Sequence, residues 1–128
     1  MGSKFGYLTI TPIEIPGHTP GSLGFSFFPV KDKGQTRTAG LFGGTVLTTG
    51  ILTTDALKQY TQSIGHYLDV AKRMNVDVEL QNHPIFDGMP DRLAKLKSER
   101  ASDPKPFVIG NARAVRVRNE SSLRSIRH

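Results

Sequence analysis

The sequence predicts an α/β fold in which a mainly antiparallel sheet packs against helices. Three patterns predict it. The N-terminal part alternates apolar and polar residues at the strand period and is broken by turn signals. A long stretch beginning near Asp55 repeats its apolar residues every three or four positions. Strand alternation then returns at Val76 to Asn82. At 128 residues, with 37% apolar and 22% charged residues, the chain has the size and usage of one compact domain with a real core.

The elements follow in order. "YLTITPIEI", Tyr7 to Ile15, alternates around Pro12 and reads as two short strands or as one edge strand broken by the proline. A glycine and proline turn, "PGHTPG", separates it from "SLGFSFFPV", Ser22 to Val30, a Phe-rich strand. "KDKGQ" then supplies a polar hairpin loop, and "TRTAGLFGG" returns as another strand, a β-meander pattern. After the turn-like "GGTVLTTG", Thr54 is placed to cap a helix from Asp55 to about Met74, with Leu57, Tyr60, Ile64, Leu68 and Ala71 on one face. In "VDVELQN" the apolar Val76, Val78 and Leu80 alternate with Asp77, Glu79 and Gln81, which predicts a half-buried strand leading into "HPIFDG". Pro90 suits the first turn of a short helix carrying Leu93 and Leu96, which "SDPKPFVIG" ends. Asn111 is placed to cap a last helix with Val115, Leu123 and Ile126 on one face, although Val115 and Val117 also fit a strand.

Composition removes several chemistries. With no cysteine, there are no disulfides, Cys-ligated zinc, iron-sulfur clusters or thiol nucleophiles, and any metal must be held by His, Asp or Glu. No apolar run is long enough to span a membrane, so the chain reads as soluble. Residues 1–3, "MGS", read as a start methionine and cloning scar, so the compartment is not legible. The net charge of +6 owes much to "ARAVRVRNESSLRSIRH", in which five arginines face only Glu120. Such a tail suits phosphates, but no aromatic residues are interleaved for base stacking. A solvated helix face is the reading preferred over nucleic-acid binding.

His18 sits in G-H-T-P-G, where glycines permit close backbone approach and proline stiffens the loop, a setting that serves a ligand imidazole. His83 follows a strand in N-H-P, again on a rigid scaffold. Taken singly, each is read first as a surface or hydrogen-bonded loop histidine and only second as a ligand. Asp87, four residues beyond His83, is read first as part of an Asp-Gly turn and second as an acceptor for an imidazole N–H. No serine elbow, P-loop or dinucleotide fingerprint is present.

Taken together, "IPGHTPGSLGF", "LFGGTVL" and "NHPIFDG", in this order with a helix between the second and third, resemble the C-terminal half of a metallo-β-lactamase-fold hydrolase. The likeness runs from about Leu8 to the end and is nearest the tri-histidine subclass of metallo-β-lactamases. It implies that residues 4–128 form half of an αββα sandwich, with zinc at one edge of the paired sheets. It also implies that His18 is a ligand of the first zinc and His83 of the second. Thr45, in "GGT", falls where relatives place a bridging aspartate or a cysteine. A neutral hydroxyl is a poor zinc ligand, so Thr45 is expected to bond a metal-bound water or orient another ligand, or simply to serve the turn.

The family's H-x-H-x-D-H motif belongs upstream of the His18 turn and does not occur in these 128 residues. His66 lies off the helix's apolar stripe and His128 is terminal, so neither replaces it. The expectation is a fragment of a zinc-dependent hydrolase, one in which metal-activated water attacks an amide or ester carbonyl of a small-molecule substrate. Alone it would be incomplete and inactive. The alternative is a non-catalytic half-domain that associates with itself or with a missing N-terminal half through a sheet face rich in apolar residues.

Overall fold

The structure, a computed structural model, describes residues 3–5, 8–45, 53–83, 88–98 and 106–108. Its elements run β1 (Ser3–Phe5), β2 (Leu8–Glu14), β3 (Leu23–Asp32), β4 (Gln35–Leu41), α1 (Thr54–Arg73), β5 (Val78–Leu80) and α2 (Met89–Lys97). The strands lie side by side in that numerical order. The first three pairings are antiparallel and β4 with β5 is parallel, so α1 falls in the crossover that a parallel pair requires. The mixed α/β class and the mainly antiparallel sheet are as the sequence predicts.

Pro12 does not break its strand. β2 runs through it, with Pro12 opposite Phe25, while β1 covers only Leu8, Thr9 and Ile10. The proline therefore sits where β2 has one described neighbour, and its missing N–H costs no ladder bond on that open side. β1 itself, which takes in Ser3, carries no signal that the alternation revealed. The expected five-residue hairpin loop is shorter in fact. The strands extend to Asp32 and from Gln35, leaving Lys33 and Gly34 at φ 45° and 85°, the two-residue turn whose twist suits a β-hairpin. Between Ser26 and Phe28 the register shifts by one residue, a bulge that bends β3.

Helix α1 begins one residue earlier than predicted. Thr53, not Thr54, is the cap, its side chain accepting from Ala56 N at 3.2 Å. The predicted stripe holds for Tyr60, Ile64 and Ala71, all buried. Ser63 and Tyr67 join them, while Leu57 and Leu68 pack against the core as partly buried residues. With Ile13, Ile15, Phe42 and Val76 this face makes one core. Phe42 meets Tyr60 and Tyr67 edge to face, at 6.1 and 5.2 Å between centroids.

The half-buried reading of β5 needs correction. Val76 and Val78 are buried as expected, but so are Glu79 and Gln81. β4 pairs with β5, and Val108 bridges Val78 at this end of the sheet, so the polar residues of the strand are enclosed as well. Asp77, just before β5, fastens it to β4. Its carboxylate accepts from Thr38 N at 2.9 Å and from Arg37 Nη1 at 3.1 Å. In α2 the proline stands in the first turn as predicted, while Leu93 and Leu96 remain exposed.

Register fixes the two faces of the sheet. A Cβ on Gly24 or Gly40 would point at Tyr67, and Ile13 opposite Gly24 is in the core, so these positions face α1. Pairing then puts Pro12, Phe25, Leu41 and Leu80 in one cross-strand row on the other face. Among the described residues no helix is long and apolar enough to cross a membrane. The predicted Asn111 helix and the arginine-rich tail lie outside the described residues.

Candidate functional site

The turn joining β2 to β3 is tied by its own residues. Ile15 N donates to Ser22 O at 2.9 Å, Thr19 N donates to Ser22 Oγ at 3.0 Å, and the Thr19 and Ser22 hydroxyls share a bond of 2.9 Å. Helix α1 grips it from below. Ser63 Oγ donates to Pro16 O at 2.7 Å, and Gly17, at φ 135°, lies so close to Tyr60 that a Cβ there would stand 2.6 Å from the Tyr60 Cα. Only glycine meets both demands. His18 is thus presented on a loop held at both ends. Its ring is half-buried, with Nδ1 enclosed and without a partner. The edge of the ring bearing Nε2 is therefore the one left to meet a ligand.

The second component is the turn after β4. A Cβ on Gly43 would run into the carbonyl oxygen of Leu23, and one on Gly44 would stand 3.0 Å from His18 Cβ, so the paired glycines let this turn close over the His18 loop. Tyr60 Oη donates towards Gly44 O at 2.9 Å, with Thr45 O at 3.3 Å. Thr45 is fully buried, and its Oγ1 donates to Gln81 Oε1 at 2.9 Å, with Phe42 O at 3.4 Å.

The third component follows β5. Asn82 Nδ2 donates to Gly43 O at 3.4 Å, and Asn82 Oδ1 lies 3.1 Å from His83 Nδ1. With the proton on Nδ1, that contact is a hydrogen bond and leaves Nε2 of His83 with its lone pair. The loops carrying His18 and His83 thus flank one step of chain, Gly43 to Gly44. They do so beyond the carboxyl ends of the parallel pair β4 and β5, where open sheets collect ligand sites. His66 is exposed on α1, apart from the apolar stripe, and Asp87 lies outside the described residues.

These donors do not by themselves fit a closed zinc site. A catalytic zinc takes three protein ligands and keeps a place for water. Among the described residues no group of three or more His, Asp or Glu stands together to hold a metal ion. Thr45 already directs its proton to Gln81, so it is placed to orient the turn from inside rather than to bind a metal.

Sequence reasoning missed Gln81, Asn82, Ser63 and the second duty of Tyr60. Gln81 falls on the polar side of an alternating run, which ordinarily means solvent. Tyr60 falls on an apolar stripe and reads as core. The hint in both was a polar group at a buried position, which has to find a partner.

No protein-family model matches the chain, and no curated protein matches it. Solved structures do. The chain aligns over 99% of its length with BJP-1, a subclass B3 metallo-β-lactamase of Bradyrhizobium japonicum, at 25% identity and TM-score 0.74, covering 47% of that chain. Native FEZ-1 metallo-β-lactamase from Legionella gormanii aligns at 19% identity and TM-score 0.74, with 99% of this chain and 47% of that one covered. MEM-A1, a subclass B3 metallo-β-lactamase from a soil metagenome library, aligns at 16% and 0.73, with 99% and 48% covered. The chain has the metallo-β-lactamase fold over the part aligned, and spans about half the length of these structures.

Proposed function

We propose that the chain is the C-terminal half of a zinc-dependent hydrolase of the β-lactamase kind, nearest the tri-histidine subclass. It contributes His18 and His83 as donors to neighbouring metal positions and is catalytically incomplete alone. The observation that carries this is the convergence of the two histidine loops on Gly43 and Gly44. The alignment with metallo-β-lactamases over about half their length supports it. The substrate class, a cyclic amide or a related ester, rests on that likeness. Among the described residues, the donors fall short of a complete zinc site.

A second reading is favoured by the sheet face turned away from α1. Leu23 and Phe25 are 38% and 37% exposed on it, and Phe25 belongs to the apolar row with Pro12, Leu41 and Leu80. Such a row is costly in water, and the complementary half of the sandwich, or a second copy in its absence, would cover it.

The test of the first reading is a zinc titration followed on the imidazole signals by NMR. His18 and His83 respond together, before the exposed His66, which serves as the internal standard.

A further inference from the structure

We propose that Tyr60 is a positioning residue of this site, one side chain that sets the spacing of the His18 loop against the Gly44 turn. The inference rests on the reading of His18 as a metal ligand and adds the device that aims it. The backbone of Tyr60 lies directly under Gly17, one residue before His18. Its hydroxyl, at the other end of the same side chain, reaches the carbonyl oxygens of Gly44 and Thr45 at 2.9 and 3.3 Å. Gly44 in turn lies against His18, close enough that a Cβ there would be 3.0 Å from His18 Cβ.

Tyr60 is fully buried and packs edge to face on Phe42, at 6.1 Å between centroids, so its ring has little freedom to let either loop drift. One turn further along α1, Ser63 Oγ donates to Pro16 O at 2.7 Å, a second anchor on the same loop. The core requires an aromatic ring at position 60, but a phenylalanine would fill that space equally well. The hydroxyl serves the two turn carbonyls.

The enclosure of His18 Nδ1 gives the readout. A ring nitrogen sealed without a partner is a poor place for a proton, so the neutral His18 ring of the metal-free chain carries its proton on Nε2 and shows one tautomer, and metal binding at Nε2 would require that proton to move to Nδ1. An exposed imidazole such as His66 averages between the two. The experiment is long-range 15N–1H NMR of the histidine rings in the metal-free chain, at a fixed pH where imidazoles are neutral. It compares the parent chain with Tyr60→Phe, Ser63→Ala and the core control Ile64→Val.

The expected result is that Tyr60→Phe loses the single-tautomer signature of His18 and moves it towards the averaged pattern of His66. Ser63→Ala shifts it the same way by less, and Ile64→Val leaves it in place despite its loss of packing. An unmoved His18 signature in a folded Tyr60→Phe overturns the proposal, and so does an equal change in Ile64→Val. If Tyr60→Phe fails to fold, Ser63→Ala decides between the same outcomes. Because the chain carries no metal in this experiment, the two failures are distinguishable: a zinc titration in which His18 responds no earlier than His66 overturns the ligand reading, whereas an unmoved His18 tautomer in Tyr60→Phe overturns the positioning role.

Discussion

Thr45 shows how much a single residue's surroundings determine what it can do. Its position between the two histidine loops suits a residue that touches the site, yet its side chain is fully buried and directs its proton to Gln81 Oε1. Gln81 Nε2 is also enclosed, without a partner, so the pair is only half satisfied. Thr45→Val keeps the shape, removes the donor and leaves Gln81 with no bond from residue 45. The expected loss is about 1–3 kcal/mol of stability, read from urea unfolding, with the β4 turn loosened. A loss indistinguishable from zero would mean that Gln81 finds another partner at once. The fixed turn around His18 was legible at this scale because the glycines and prolines beside it advertise one. Gln81 was not, because alternation cannot distinguish a solvent face from a second buried face.

Among the elements, the last pairing of the sheet is reinforced by a residue just before β5. β5 is three residues long and would hold few ladder bonds alone. Asp77 precedes it and binds both Thr38 N and Arg37 of β4 from 39 and 40 residues away in sequence. Asp77→Ala removes a charge-assisted bond and leaves a strand N–H without its acceptor, an expected cost of about 1.5–3 kcal/mol. Amide exchange at β5 should accelerate more than at β2 and β3, and uniform acceleration across the sheet would show that β5 does not open separately. Helix α1 was legible almost to the residue from its spacing. Its cap lay one position off because two threonines stand side by side and either offers the same hydroxyl. The parallel pairing was not legible, since it depends on where the chain returns after α1.

For the molecule as a whole, one face of the sheet is covered by α1 and the other shows an apolar row. A sheet of this kind is stable when both faces are covered, so the second reading predicts association through Leu23 and Phe25. Replacing both with serine should shift light-scattering mass towards the monomer while the far-UV spectrum is kept. A parent chain that stays monomeric at high concentration would count against it. The fold was legible from three short motifs in order, whereas the groups that would complete the proposed metal site are not among these motifs.

The proposed role of His18 and His83 as two aimed imidazoles of an incomplete zinc site is open to direct measurement. The most direct measurement is the zinc titration of the chain followed on its histidine signals, with His18→Ala and His83→Ala beside it. The expected result is that His18 and His83 respond first and together, and weakly, with no tight one-to-one capture. Response no earlier than that of His66 would contradict the aimed pair, and stoichiometric tight binding lost in both variants would contradict the incompleteness of the site.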